Sequence, residues 1–293
     1  MFPAWSCGCL ESPATLKGVK KMKEKAQLLR DKFRKGELVV GAHAFFIDPG
    51  ITSLLGYHGF DTVWIDAEHG AFTPPVILQH IMAASDAGTA SLVRIAWNDQ
   101  VIAKPILEMG PDGIIFPYIR SAQEARDAVA CCTYPPHGIR GFGPRRAQKY
   151  GVFSVEEYLE QSDDSLLRIL QIEHVDAIRQ LDEIAEVEGI DQLVIGPNDL
   201  SASYGLIGKT RDPAMMEVYD HIAEVCKKHR MPFGVSLGAG DLESAREWLD
   251  RGISFLSCGD DISYMDMGCR MTFDFVDKYL RESPGRSKIS QKP

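Results

Sequence analysis

The chain has 293 residues, 45% hydrophobic and 25% charged, an ordinary globular composition long enough for one α/β barrel or two average domains. Lys and Arg number 32 against 41 Asp and Glu, a net charge of −9, and the one modest basic run is KGVKKMKEK at 17–25, so nucleic acid and anionic membranes are poor partners. No apolar run approaches the roughly 20 residues of a membrane span, and the opening MFPAWSCGCLESPATLKGVKK lacks the basic region and apolar core of a signal peptide.

Residues 1–25 read as a flexible extension, and a helix is expected from about Lys20 to Lys35. Short β-rich runs then recur: LVVGAHAF (38–45), DTVWIDAE (61–68), ASLVRIA (90–96), DGIIFPYI (112–119), LLRILQIE (166–173), DQLVIGP (191–197), MPFGVSL (231–237) and ISFLSCG (253–259). The seven intervals between them hold helix-like segments such as PPVILQHIMAASDAG and PAMMEVYDHIAEVCKKH, with apolar residues at three- and four-residue steps. A last helix is expected over about Tyr264–Arg281, and residues 282–293 read as a disordered tail. Eight strand–helix units predict a closed (β/α)8 TIM barrel over 26–281, with a doubly wound sheet as runner-up. No glycine fingerprint of the dinucleotide type follows the first strand, which weighs against a nucleotide-binding sheet. The interval from Cys131 to Leu166 is long and contains YPPHGIRGFGPRRAQKYG, so an active-site role is expected for it. The seven cysteines make no zinc pattern, and CGC at 7–9 is weak as a metal motif; a reducing, cytoplasmic setting is expected.

A barrel carries its chemistry at the C-terminal ends of its strands. The second run ends in Asp66, Glu68 and His69; the third carries Arg94; the fifth ends in Gln171 and Glu173; the sixth ends in IGPNDLS, with Asn198 and Asp199. Acids and an imidazole closing an apolar strand are costly to desolvate unless paired. Glu173 and Asp199 lie on consecutive strands and suit a shared Mg2+, Mn2+ or Co2+, with Asp199 as a helix cap the competing reading. Arg94, alone in an apolar strand, suits either a buried ion pair or a carboxylate or enolate oxygen. His69 is a candidate general base. His174 is read as entering the next helix, Arg145 and Arg146 as binding an anion or lining a subunit interface, and His43 as facing the site or filling the barrel.

WIDAEHG, LVRIAWND, YPPHGIRGFG, LQIEHVDAI and VEGIDQLVIGPNDLSASYG together resemble, in order and spacing, the class II pyruvate aldolases, the 4-hydroxy-2-oxoheptanedioate aldolase family. The likeness runs from about Gly41 to beyond Leu249. It implies a (β/α)8 barrel and a homohexamer of subunits paired by exchanged C-terminal helices. It implies a divalent metal on Glu173 and Asp199, His69 as base, Arg94 on substrate oxygens, and Gln171 beside the metal. The backbone of Gly196, Pro197 and Asn198 would help bind the pyruvate carboxylate, with Asp66 and Glu68 steadying water, Arg94 or the loop. The sequence departs from the family at ILEMG, where Glu108 stands in place of the aspartate that partners the histidine; pairing is expected directly, through water, or from a neighbouring subunit. The reaction implied is reversible cleavage of a 4-hydroxy-2-oxo acid to pyruvate and an aldehyde. A metal-dependent decarboxylase or acyl-CoA lyase on the same scaffold is the alternative, and a keto-acid sensor without turnover is a further one. A Schiff-base aldolase needs a lysine on a barrel strand, whereas Lys104, Lys149 and Lys209 fall in predicted helices or loops.

Overall fold

The computed structural model describes residues 25–283 and 285. The expected extension, its CGC motif and most of the expected tail lie outside the described residues. Eight parallel strands close into a barrel in chain order: β1 (Val39–Ala44), β2 (Thr62–Asp66), β3 (Ala90–Arg94), β4 (Gly113–Phe116), β5 (Leu167–Ile172), β6 (Gln192–Ile195), β7 (Phe233–Leu237) and β8 (Phe255–Asp260). Helix α1 (Lys25–Lys35) precedes the barrel. Helices α2 (Gly50–Tyr57), α3 (Pro74–Asp86), α4 (Gln100–Met109), α5 (Ala122–Cys132) and α6 (Val155–Ser162) connect the first five strands. Then come α7 (Val175–Arg179), α8 (Leu181–Ala185), α9 (Pro197–Ser203), α10 (Pro213–His229), α11 (Leu242–Asp250) and α12 (Asp261–Glu282).

All eight expected strands form. Parallel strands need crossover connections, and the apolar stripes of the intervening helices cover the outside of the sheet. Inside, Trp64, Leu92, Ile115, Leu167, Ile169, Val194 and Phe255 pack together, and Leu29 and Phe33 of α1 join them, so α1 closes the floor. Arg30 fastens that plug through an ion pair to Asp191 at 2.6 Å and a hydrogen bond to the Leu166 carbonyl at 2.8 Å. Two glycines allow the close packing: a Cβ on Gly113 would meet Leu92 at 2.6 Å, and one on Gly234 the Phe255 carbonyl at 2.3 Å.

Strand side chains alternate between faces. Since Trp64, Leu92 and Ile169 face inward, so do Asp66, Arg94 and Gln171, two residues further toward the mouth. The pairing sets Asp66 opposite Arg94 and His43 opposite Trp64.

The long interval 133–154 does not reach the mouth within this chain. It follows α5, which runs back from mouth to floor, so it emerges at the floor end. There Arg140 and Arg146 donate to the carbonyls of Leu107, Met109 and Gly110 at the end of α4. The active-site role expected for it is therefore not met at this chain's own mouth. No described helix is long and apolar enough to cross a membrane.

Candidate active site

A cavity of about 220 Å³ opens at the mouth, lined by His43, Phe45, His69, Arg94, Gln171, Gly196, Pro197, Asn198, Asp199, Ser236, Leu237, Gly238 and Asp260. Its centre is a buried polar chain running across the strands. Asp66 is fully buried and receives Arg94 through both oxygens, Nε donating to Oδ1 at 3.0 Å and Nη2 to Oδ2. The backbone N–H groups of Glu68 and His69 also donate to Asp66 Oδ1, which folds the loop back over the strand end. Burial pushes the Asp66 pKa up, but Arg94 and the His69 N–H outweigh it and hold the carboxylate below its usual range.

Arg94 donates from Nη1 to Gln171 Oε1 at 3.2 Å, and Gln171 Nε2 donates to Glu173 Oε2 at 2.5 Å. Glu173 Oε1 accepts the backbone N–H of Tyr118 at 2.8 Å. Tyr118 makes that bond from φ 56, a left-handed conformation a bulky residue holds only under constraint. Gly196 leaves room on the other side, since a Cβ there would sit 2.5 Å from Glu173 Oε2. Burial foremost, with Glu68 and Asp199 nearby, raises the Glu173 pKa to about 8 despite the Tyr118 N–H and Arg94. Glu68 is raised as well, chiefly by burial. Its Oε2 lies 2.9 Å from Arg94 Nη1, an ion-pair contact without hydrogen-bond alignment, and so has no hydrogen-bond partner among the described residues. His69 stands at the rim with its ring well exposed, its Nε2 3.9 Å from Glu68 Oε2.

Asp199 is exposed in the first turn of α9 and makes no capping bond; the N-cap position falls to Gly196. The competing cap reading is thereby removed. His174 does cap α7, accepting the Asp176 N–H. Arg146 is spent on the end of α4, and neither it nor Arg145 lines the cavity.

Glu108 is not brought to His69 in this chain. It lies in the last turn of α4, at the floor end, beside Arg140, Lys104 and Arg145, and its carboxylate oxygens are enclosed without a hydrogen-bond partner among the described residues. The direct pairing expected from the sequence fails because α4 carries Glu108 away from the mouth by about 1.5 Å per residue.

The hard oxygens of Glu173 and Asp199 fit a magnesium-like cation. Glu68 and Glu173, poorly compensated by the single Arg94, mark a place where positive charge is wanting. Among the described residues no three His, Cys, Asp or Glu side chains form a ready cage, so such a cation would take most of its shell from water and substrate. No lysine lines the cavity.

Sequence reasoning stopped at the ends of the second, third, fifth and sixth strands. It missed Ser236, Leu237 and Gly238 on the β7 side, and Asp260 at the end of β8. The signal was present, since SLGAG and SCGD close their strands in polar and small residues as the others do.

The chain is a carbon–carbon lyase built on a (β/α)8 barrel. The chain belongs to the HpcH/HpaI aldolase/citrate lyase family, whose profile matches residues 47–265. It is 33% identical over 227 residues to 5-keto-4-deoxy-D-glucarate aldolase of Enterobacter sp. (strain 638), covering 77% of this chain and 87% of that protein. It is 36% identical over 204 residues to hydroxypyruvate/pyruvate aldolase of Sagittula stellata, covering 69% of this chain and 79% of that one. The crystal structure of HpcH/HpaI aldolase from Desulfitobacterium hafniense superposes with a TM-score of 0.80 at 29% identity, covering 89% of this chain and 99% of that one. Class II aldolases of this family generally depend on a divalent metal.

Proposed function

We propose that this chain is a divalent-metal-dependent aldolase that reversibly cleaves a 4-hydroxy-2-oxo acid to pyruvate and an aldehyde. The observation that carries the reading is the buried chain Asp66–Arg94–Gln171–Glu173, which ends beside Asp199 at the mouth. Glu173 and Asp199 would hold Mg2+, Mn2+ or Co2+, which when bound supplies Lewis-acid polarisation of a 2-oxo acid. Asp66 holds the Arg94 guanidinium rigidly, so its donors are aimed in advance at the oxygen where negative charge develops. The Gln171 side chain, with its oxygen on Arg94 and its nitrogen on Glu173, fixes the distance between them. Gly196, Pro197 and Asn198 line the cavity at the start of α9, where backbone N–H groups suit the substrate carboxylate.

His69 takes the proton of the 4-hydroxyl, the C3–C4 bond breaks, and its electrons pass into the enolate of pyruvate. Return of a proton to C3 completes pyruvate. Asp66 and Glu68 keep Arg94 and the His69 loop in place. Glu108 reaches a His69 only across a boundary between copies. The exposed Ile262, Met265, Met267, Met271 and Phe275 along α12 support assembly with other copies, in line with a hexamer. The five described cysteines are free, which suits a reducing cytoplasm.

The deciding assay incubates the protein with a panel of 4-hydroxy-2-oxo acids and follows pyruvate release. EDTA should abolish cleavage and Mg2+, Mn2+ or Co2+ should restore it. Full activity after exhaustive chelation would remove the metal from the reading.

A further inference from the structure

The cavity has two unlike sides. Arg94, Gln171 and Asp199 stand on the β3, β5 and β6 side. Opposite them, on β1, β7 and β8, stand His43, Ser236 and Asp260, none of which the aldol chemistry uses. We propose that this second side reads the aldehyde end of the substrate, and that Ser236, oriented by His43, selects an aldehyde carrying a hydroxyl on the carbon next to the carbonyl. The proposal rests on the aldolase reading.

His43 faces inward from β1 and is 5% exposed. Its ring stacks on Phe45 at 5.9 Å between centroids and lies 4.6 Å from Trp64. Nδ1 lies 3.4 Å from the Gly259 carbonyl and 3.3 Å from Ser257 Oγ, and Nε2 lies 3.2 Å from Ser236 Oγ. A carbonyl only accepts, so the favourable tautomer carries its proton on Nδ1. Nε2 is then bare and takes the Ser236 O–H. A serine has one proton to give. With it committed to His43, Ser236 offers the cavity lone pairs only.

Asp260 adds no donor. Its Oδ1 accepts the Ser263 N–H at 2.7 Å and its Oδ2 the Ser263 hydroxyl at 2.6 Å. Burial foremost lowers the His43 pKa to about 4, so this wall carries no cation to attract a carboxylate. The Ser236 and Asp260 side chains thus offer acceptors and no free proton, which rewards a ligand hydroxyl that donates and leaves an alkyl group or a bare oxygen without compensation from them. At about 220 Å³, or roughly seven waters at about 30 Å³ each, the cavity holds a keto acid joined to a short aldehyde.

The test is condensation of pyruvate, with Mg2+, onto three aldehydes of nearly equal size. Glycolaldehyde bears the hydroxyl, propionaldehyde replaces it by methyl, and methoxyacetaldehyde keeps the oxygen without the proton. The wild type should favour glycolaldehyde in kcat/KM by at least about 5-fold over each of the others. Ser236→Ala should bring the glycolaldehyde-to-propionaldehyde ratio close to one, and Ser236→Thr should retain it. His43→Phe keeps a flat ring but frees the serine proton, so preference over methoxyacetaldehyde should be lost. Equal use of the three aldehydes by the wild type, or an unchanged ratio in Ser236→Ala, overturns the proposal. Nitrogen-15 spectra of the histidine-labelled wild type give an answer independent of any variant: a proton on Nε2 of His43 overturns it, and a proton on Nδ1 supports it. Exchange of the pyruvate methyl protons in D2O needs no aldehyde. A wild type that exchanges without discriminating loses the selectivity alone; one that does not exchange loses the aldolase reading and this proposal with it.

Discussion

Arg94 is held on three sides, by Asp66, Glu68 and Gln171, which raises the question of whether it serves the fold or the reaction. A purely structural ion pair has no need to sit in the lining of an open cavity. Arg94→Lys keeps the charge but loses the planar fork that meets both oxygens of Asp66. It is expected to fold, by circular dichroism, and to lose on the order of 10²-fold in turnover, the loss of an oxyanion donor. A variant fully active but thermally weakened would assign the residue to the fold. Glu173 makes a second prediction at this scale. Its pKa rises from 4.5 to about 8 on folding. Between those values the folded state binds more protons than the unfolded one, so stability is full below about pH 4.5 and falls as pH rises toward about 8. In protein stripped of divalent cations, calorimetry should show Tm dropping across that window. Glu173→Gln should flatten the drop and also cost most of the Mn2+ affinity.

The strands act as a ruler. Period-two alternation with parallel in-register pairing delivers Asp66, Arg94 and Gln171 to one inner face, two residues beyond the apolar layer of Trp64, Leu92 and Ile169. This made the polar chain legible from the strand-end residues before any coordinates. Helices obey a different rule, since each runs back to the floor. That is why Glu108, in the last turn of α4, is enclosed with Arg140 and Lys104 rather than set beside His69. Glu108→Gln therefore discriminates two arrangements. A 10- to 10³-fold fall in cleavage, with a shifted pH profile, requires pairing across copies. An unchanged profile, with altered stability, assigns the carboxylate to the packing of α4 on the loop at 133–154.

At the scale of the molecule, α1 is the plug of the barrel floor and α12 its exposed final helix. Among the described residues the cavity lining begins at His43, and α1 contributes nothing to it. A chain beginning at Lys20 is expected to stay soluble and to retain cleavage, because it keeps Lys25, Leu29, Arg30 and Phe33 against the barrel. Kinetics and size-exclusion chromatography of that shortened chain check it. A soluble but inactive product would show that the preceding residues complete the site or the assembly.

The sequence by itself determined the eight strands, their order, and the polar residues that end them. These rest on local periodicity, and a closed parallel barrel converts strand order into neighbourhood without further information. It also carried the family signatures at residues 64–70 and 187–205. Only the tertiary structure decided which side of the barrel each insertion serves and which partner each charge meets. The loop at 133–154 lay on the floor because of the direction of α5, not its composition. Asp199 proved not to be a cap because α9 begins two residues earlier, at Pro197. His43, noticed but unplaced in the sequence, found its partners in the Ser236 and Gly259 that meet its ring from β7 and β8. Those partners lie 193 and 216 residues away. Hydrogen bonds over that separation depend on barrel closure, which no local pattern encodes.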